Sequence, residues 1–196
     1  MTKIKTAKNS SKKDLIIKKG AGLFRTKGFM AASMRDLADE VGVEAPSLYN
    51  HIGSKGEILQ VICFKVAAEF TAQLEDTEKE NWNAAIKIEA LIRFHISMMA
   101  NNFDEVFVAN NDWKYMDEPF LTNFLNQRRS YEKKMMAIIE AGIKKKEFKN
   151  IHPYVAVLTL LSAVRGLEYW HKSKKSISAK VLEDDMIKHL ITGLIK

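Results

Sequence analysis

Breakers are scarce in this chain, and they constrain its fold more than any other feature. Proline occurs three times and glycine nine times in 196 residues. Between these punctuation marks, apolar residues recur at helical spacing, and no stretch alternates with the two-residue period of a strand. An all-α fold of about nine helices follows. Several helix ends carry their own stop or start signals. Gly28 closes a first helix over about 12–27, whose inward face holds Ile16, Ile17, Gly20, Ala21 and Phe24. Ser33 with Asp36 three residues on approximates a capping box for a short second helix, which Gly42 ends. Pro46 suits the first turn of a third short helix, about 45–52. Ser54 and Glu57 open a long fourth helix over 55–77. Five more are expected at 84–100, 103–110, 118–146, 152–172 and 179–196. The expected organisation is a basic disordered arm over 1–11, a helix-turn-helix domain over 12–54 and a C-terminal domain over 55–196.

Charge is placed unevenly. The net charge is +7, and residues 1–60 hold eleven Lys and Arg against six acids, so +5 of it lies in the first third. A basic N-terminal third points to a polyanionic partner. Lys3, Lys5 and Lys8 of the arm are placed to add salt-sensitive affinity for such a partner. The single cysteine, Cys63, cannot form an internal disulfide, no Cys/His cluster suggests a metal, and no apolar run is long enough to span a membrane. The N-terminus lacks the apolar stretch of a signal peptide. A cytoplasmic protein with no membrane partner, no cofactor and no metal is expected. No nucleophile elbow, phosphate-cradling loop or acid/base pair at supporting spacing marks it as an enzyme, so no catalytic residue is assigned.

Two short helices joined by the turn Val41-Gly42-Val43-Glu44 make a helix-turn-helix. The second helix of such a unit leads with its N-terminus into the major groove. Ala45, Pro46 and Ser47 occupy that edge and are small enough for close approach to bases. Ser33, Tyr49, His51 and Lys55 flank it as candidate phosphate contacts, and Arg35 and Asn50 complete the DNA-facing set. Residues 16–59 resemble the DNA-binding domain of the TetR (tetracycline-repressor-like) family. The resemblance is carried by Leu23-Phe24, Lys27-Gly28-Phe29, Ser33, Leu37-Ala38, Gly42-Val43, Ser47-Leu48-Tyr49, His51 and Ser54-Lys55 with Leu59. Lys19-Gly20, Pro46, Ile52 and Gly56 depart from its usual pattern. The resemblance implies a homodimer on a palindromic duplex of double-stranded DNA, joined through its last two helices. Leu158, Leu161, Arg165, Met186 and Leu190 are the expected interface residues.

Aromatic and methionine side chains concentrate over 94–135 and suit an adaptable apolar pocket. Phe94, Met98, Phe107, Trp113, Phe124 and Tyr131 are its expected lining, with Arg93, His95 and Arg128 as polar groups. Arg128 and Tyr131 on a long helix, then Gly142, Phe148 and Trp170, are similar to the C-terminal domains of TetR-like regulators of lipid and acyl-thioester metabolism. That similarity implies a small apolar effector.

Overall fold

A computed structural model describes the backbone of residues 3–173 and 177–195, and the side chains of 12–170 and 177–195. The described residues form ten α-helices: α1 Lys3–Lys27, α2 Met34–Val41, α3 Ala45–Tyr49, α4 Lys55–Lys79, α5 Ala84–Asn101, α6 Phe103–Asn111, α7 Phe120–Lys144, α8 Pro153–Arg165, α9 Leu167–Ser173 and α10 Ala179–Leu194. A 3-10 turn, Trp113–Tyr115, lies between α6 and α7. No helix among the described residues is long and apolar enough to cross a membrane.

Three boundaries differ from expectation. The first helix starts at Lys3, so its opening turns take in most of the segment expected as a disordered arm. No glycine or proline interrupts the chain before Gly20, so nothing there stops the helix from extending. The side chains of Lys3, Lys5 and Lys8 lie outside the described residues. The helix expected over 152–172 is two helices, because the turn tightens at Gly166, where Tyr169 N–H donates to the Gly166 carbonyl three residues back. The third difference is the domain boundary. The chain divides into one compact unit of residues up to Val66 with Asp104–Leu125, and another of Ala67–Phe103 with the residues from Asn126 onward. A boundary at 54/55 is therefore corrected: α6, the 3-10 turn and the start of α7 pack with the N-terminal helices.

The first unit closes around Ile16, Ile17, Phe24, Leu37, Leu48, Ile52, Ile58, Leu59 and Ile62, all essentially buried. Gly20 is required here by close approach: a Cβ at that position would stand 2.8 Å from Cγ2 of Ile58, so α1 and α4 meet at a distance no side chain fits. Ion pairs then bind α6 into the unit. Arg25 of α1 pairs with Asp104, and Lys65 of α4 pairs with the buried Glu105 at 2.9 Å. Both acids sit in the first turn of α6, where the helix dipole favours negative charge. Phe29 stacks on Tyr115 of the 3-10 turn at 5.4 Å between centroids. The second unit buries Leu74, Ile88, Leu91, Ile92, Met135, Ile139, Phe148, Leu160 and Val164.

Candidate DNA interface and effector site

In the first unit, local chemistry fixes the helix-turn-helix at each end. Ser33 Oγ accepts from Asp36 N–H at 3.1 Å, and Ser33 N–H donates to Asp36 Oδ2 at 2.8 Å, so the expected capping box is present in both directions. Lys27 holds the same carboxylate at 2.7 Å. The Lys27 hydrogen bond, then those from Ser33, bring the Asp36 carboxyl down to about 2. Gly42 adopts φ 73°, the left-handed conformation that lets the chain turn sharply, and its N–H and that of Val43 return to Asp39 and Ala38. Leu48 is buried beneath α3. This leaves Pro46, Tyr49 and Asn50 pointing to solvent, with Tyr49 52% exposed. Ala45, Ser47 and His51 are half-buried and Arg35 is exposed.

Two expected phosphate contacts are corrected. The Ser33 hydroxyl proton goes to Asp36 Oδ2 at 2.6 Å, so Ser33 is a cap with no proton left for an anion. Lys55 turns inward. Its ammonium donates to the carbonyls of Phe29, Met30 and Ala32 at 3.0, 3.2 and 3.1 Å and lies 4.8 Å from the centroid of the Phe29 ring. An ammonium has three protons, and all three are taken. Lys55 clasps the loop between α1 and α2.

The nine expected pocket residues do not share one unit. Phe107, Trp113 and Phe124 belong to the first, since the chain threads α6 and the start of α7 into it. Phe124 is buried there edge-on to Phe64 at 6.0 Å and serves as core, which corrects its assignment as pocket lining. The other six lie in the second unit. Met98 is buried, and Phe94 and Arg128 are half-buried. His95 of α5 stacks on Phe70 of α4 at 4.2 Å and shares a 2.9 Å hydrogen bond between Nε2 and the Tyr131 hydroxyl of α7. Phe94 meets the same Phe70 ring edge-on at 5.6 Å. Phe70 was not foreseen; it is the ring on which the cluster is built. Arg93 is already engaged. It pairs with Glu89 at 2.8 Å and with Glu183 of α10 at 2.7 Å, ties α5 to α10, and is corrected as a ligand anchor.

The expected interface residues also separate. Leu161 faces the core of its own unit and is corrected to a core residue, while Met186 and Leu190 are half-buried. Leu158 is 50% exposed, and it continues a stripe of exposed side chains along α8 and α9: Tyr154, Val155, Leu158, Arg165 and Tyr169, the last 78% exposed.

Residues 16–62 match the family described as "Bacterial regulatory proteins, tetR family", and residues 82–194 match "Tetracyclin repressor-like, C-terminal domain". The chain belongs to the TetR family. Among its curated relatives is the HTH-type transcriptional repressor KstR2 of Rhodococcus jostii, 20% identical over 191 residues, which span 96% of this chain and 94% of that protein. KstR2 of Mycolicibacterium smegmatis is 21% identical over 194 residues, 94% of this chain and 91% of that one. Of solved structures, the ketosteroid transcriptional regulator KstR2 of Mycobacterium tuberculosis superposes with a TM-score of 0.87 at 16% identity, over 94% of this chain and 95% of that one. AibR in complex with isovaleryl coenzyme A and operator DNA superposes at 0.82 with 18% identity, over 92% and 98%. This TetR protein is therefore a helix-turn-helix transcription regulator whose residues 82–194 form a tetracyclin repressor-like C-terminal domain.

His95, enclosed among Phe70 and Tyr131, is expected to give this regulator an acid response. Burial pushes the His95 imidazole down to about 3, and the charge of Arg165 adds to the effect. Burial likewise raises the Tyr131 phenol. Between the ordinary histidine value of 6.5 and the folded value, the unfolded chain binds a proton that the folded protein refuses. His95 thus costs nothing above that window, and stability falls as pH drops through it, by at most about 1.4 kcal/mol per pH unit from one group. Urea midpoints measured from pH 7 to pH 4.5 should fall more steeply for the wild type than for His95→Phe. Equal slopes would show that His95 does not stay neutral.

Proposed function

We propose that this TetR regulator is a homodimeric repressor that binds a palindromic operator and leaves it when a small apolar effector, an acyl thioester, occupies the second unit. The reading head carries this proposal: a capped α2, a glycine turn and an α3 that turns Pro46, Tyr49 and Asn50 outward over a buried Leu48. Small residues at the tip allow close approach to base edges, and the amides of Met34 and Arg35 at the start of α2, below the first intrahelical bond, suit a phosphate. Two such heads on a two-fold axis address successive major-groove faces about 34 Å apart. Repressor action is supported by the KstR2 relatives, and an acyl thioester effector by the isovaleryl coenzyme A in the AibR complex. One unbroken helix, α4, contributes residues to both units, so displacement of its second half by a ligand is delivered to the reading head. An effector needs only about 1.4 kcal/mol of preference for one state to change DNA affinity tenfold.

The test is selection of bound fragments from the source genome, followed by mobility-shift titration with and without acyl coenzyme A thioesters. Tyr49→Ala should weaken binding about tenfold on both the selected site and unrelated duplex, as expected of a contact that positions rather than specifies. Full affinity in Tyr49→Ala would remove Tyr49 as a phosphate contact. Failure to enrich any fragment would remove the repressor reading altogether.

A further inference from the structure

We propose that His95 and Tyr131 form the polar station of the effector site, and that they recognise an uncharged hydrogen-bond acceptor, the carbonyl oxygen of a thioester. This inference rests on the effector reading above. His95 is surrounded by protein, yet it keeps solvent-accessible surface, as do Phe70, Phe94 and Tyr131 around it. A side chain this deep stays accessible only where a crevice reaches it. Phe70 packs against both members of the pair and Phe94 meets Phe70 edge-on, so this side of the pair is apolar.

Proton accounting decides what the pair can do. A neutral imidazole has one N–H and one lone pair, and a phenol has one O–H. Their mutual 2.9 Å bond uses one of these two protons. If the phenol donates to Nε2, the imidazole proton sits on Nδ1 and is spare. If Nε2–H donates, the phenol proton is spare. In either tautomer one donor remains, and neither residue has a second hydrogen-bond partner among the described residues. Solvent reaches the pair, so the spare donor is open to an acceptor that a ligand brings. Phe70 covers one face of the imidazole, so a ligand meets its edge.

The charge balance selects the kind of acceptor. The pair is neutral at pH 7. Arg93, beside His95 in sequence, is neutralised by Glu89 and Glu183, and Arg128, one turn from Tyr131 on α7, is itself engaged. Among the described residues, Arg165 is the one cation whose charge is felt at His95; it is exposed, so solvent weakens its pull. A carboxylate here would lose its hydration with only a solvent-weakened opposite charge to replace it. A thioester carbonyl requires only the single donor.

Three probes separate these contributions: decanoyl coenzyme A, its thioether S-decyl coenzyme A, which lacks only the carbonyl, and decanoate. Direct binding is measured by calorimetry on the full chain, and DNA release by mobility shift. The wild type should bind the thioester about tenfold more tightly than the thioether, the usual worth of one hydrogen bond to a buried donor, and should bind decanoate more weakly than the thioester. Tyr131→Phe and His95→Phe keep an aromatic ring and should bring thioester and thioether within twofold of each other. Thermal melting confirms that each variant is folded. Equal affinity of the wild type for thioester and thioether overturns the station but leaves the effector reading intact. If none of the probes binds or releases DNA, the thioester reading and the station fall together.

Discussion

The double variant Val155→Glu, Leu158→Glu is expected to sediment as a monomer and to lose at least about a hundredfold in operator affinity, with its helical content unchanged. Tyr154, Val155 and Leu158 lie within little more than one turn of one another on α8 and are each about half exposed, Tyr169 of α9 is 78% exposed, and Val181 of α10 is 51% exposed. Exposed apolar side chains grouped on α8 in this way suit an interaction site. A stable two-fold interface buries upwards of ~1,200 Å². Two adjacent glutamates would each have to be desolvated opposite their own symmetry copies, so like charge meets like charge across the axis. The effect on DNA binding should exceed the effect on any single contact, because the proposed dimer would present two reading heads as one ligand. Linking two sites in this way is worth roughly 10²–10⁴ in affinity. The individual reading head is untouched, so weak binding to unrelated duplex should persist. Sedimentation of the wild type as a monomer at micromolar concentration, or of the double variant as a dimer, would refute the interface.

What could be read from the chain beforehand follows the range of the interaction involved. The ends of α2 and α3 were legible because their determinants are local: Ser33 with Asp36, Gly42, and Pro46 act within one turn. The role of Lys55 was not legible. Its partners lie 23 to 26 residues away, and a lysine at a helix start next to a DNA-reading motif looks the same whether its ammonium faces a phosphate or a loop carbonyl. The allegiance of α6 was hidden for the same reason, since Arg25 and Asp104 are 79 residues apart. On α8 the pattern itself was ambiguous. Val155, Ala156, Val157, Leu158, Leu160, Leu161 and Val164 surround the helix with apolar side chains, so periodicity could not separate the buried Leu161 from the exposed Leu158. His95 and Tyr131 were found by composition, as polar groups in an aromatic-rich stretch, but their pairing depended on Phe70, which lies on a different helix.

Lys55→Met is expected to lower the melting temperature by about 5–10 °C, and this outcome distinguishes the loop clasp from a phosphate contact. The ammonium satisfies three carbonyls of the segment that carries the chain from α1 to α2. Phe29, whose carbonyl is one of them, is a buried residue edge-on to Phe24 and stacked on Tyr115, so its position fixes where α2 begins. Hydrogen bonds from a charged group contribute roughly 1.5–3 kcal/mol each when isolated, but three sharing one ammonium do not add, and water replaces part of the loss at the exposed carbonyls. A net loss of about 2–3 kcal/mol follows, and for a chain of this length each kcal/mol is worth roughly 2–4 °C. Methionine retains the packing against Phe29, which confines the change to the charge and its hydrogen bonds. Lys55→Arg should recover only part of the loss, since a planar fork cannot aim three donors at carbonyls arranged around a point charge. DNA affinity should fall with the loop, but the dependence of log affinity on log salt should stay as it is in the wild type, because no phosphate partner has been removed. A phosphate contact predicts the opposite pair of results: an unchanged melting temperature, and a salt slope reduced by about one.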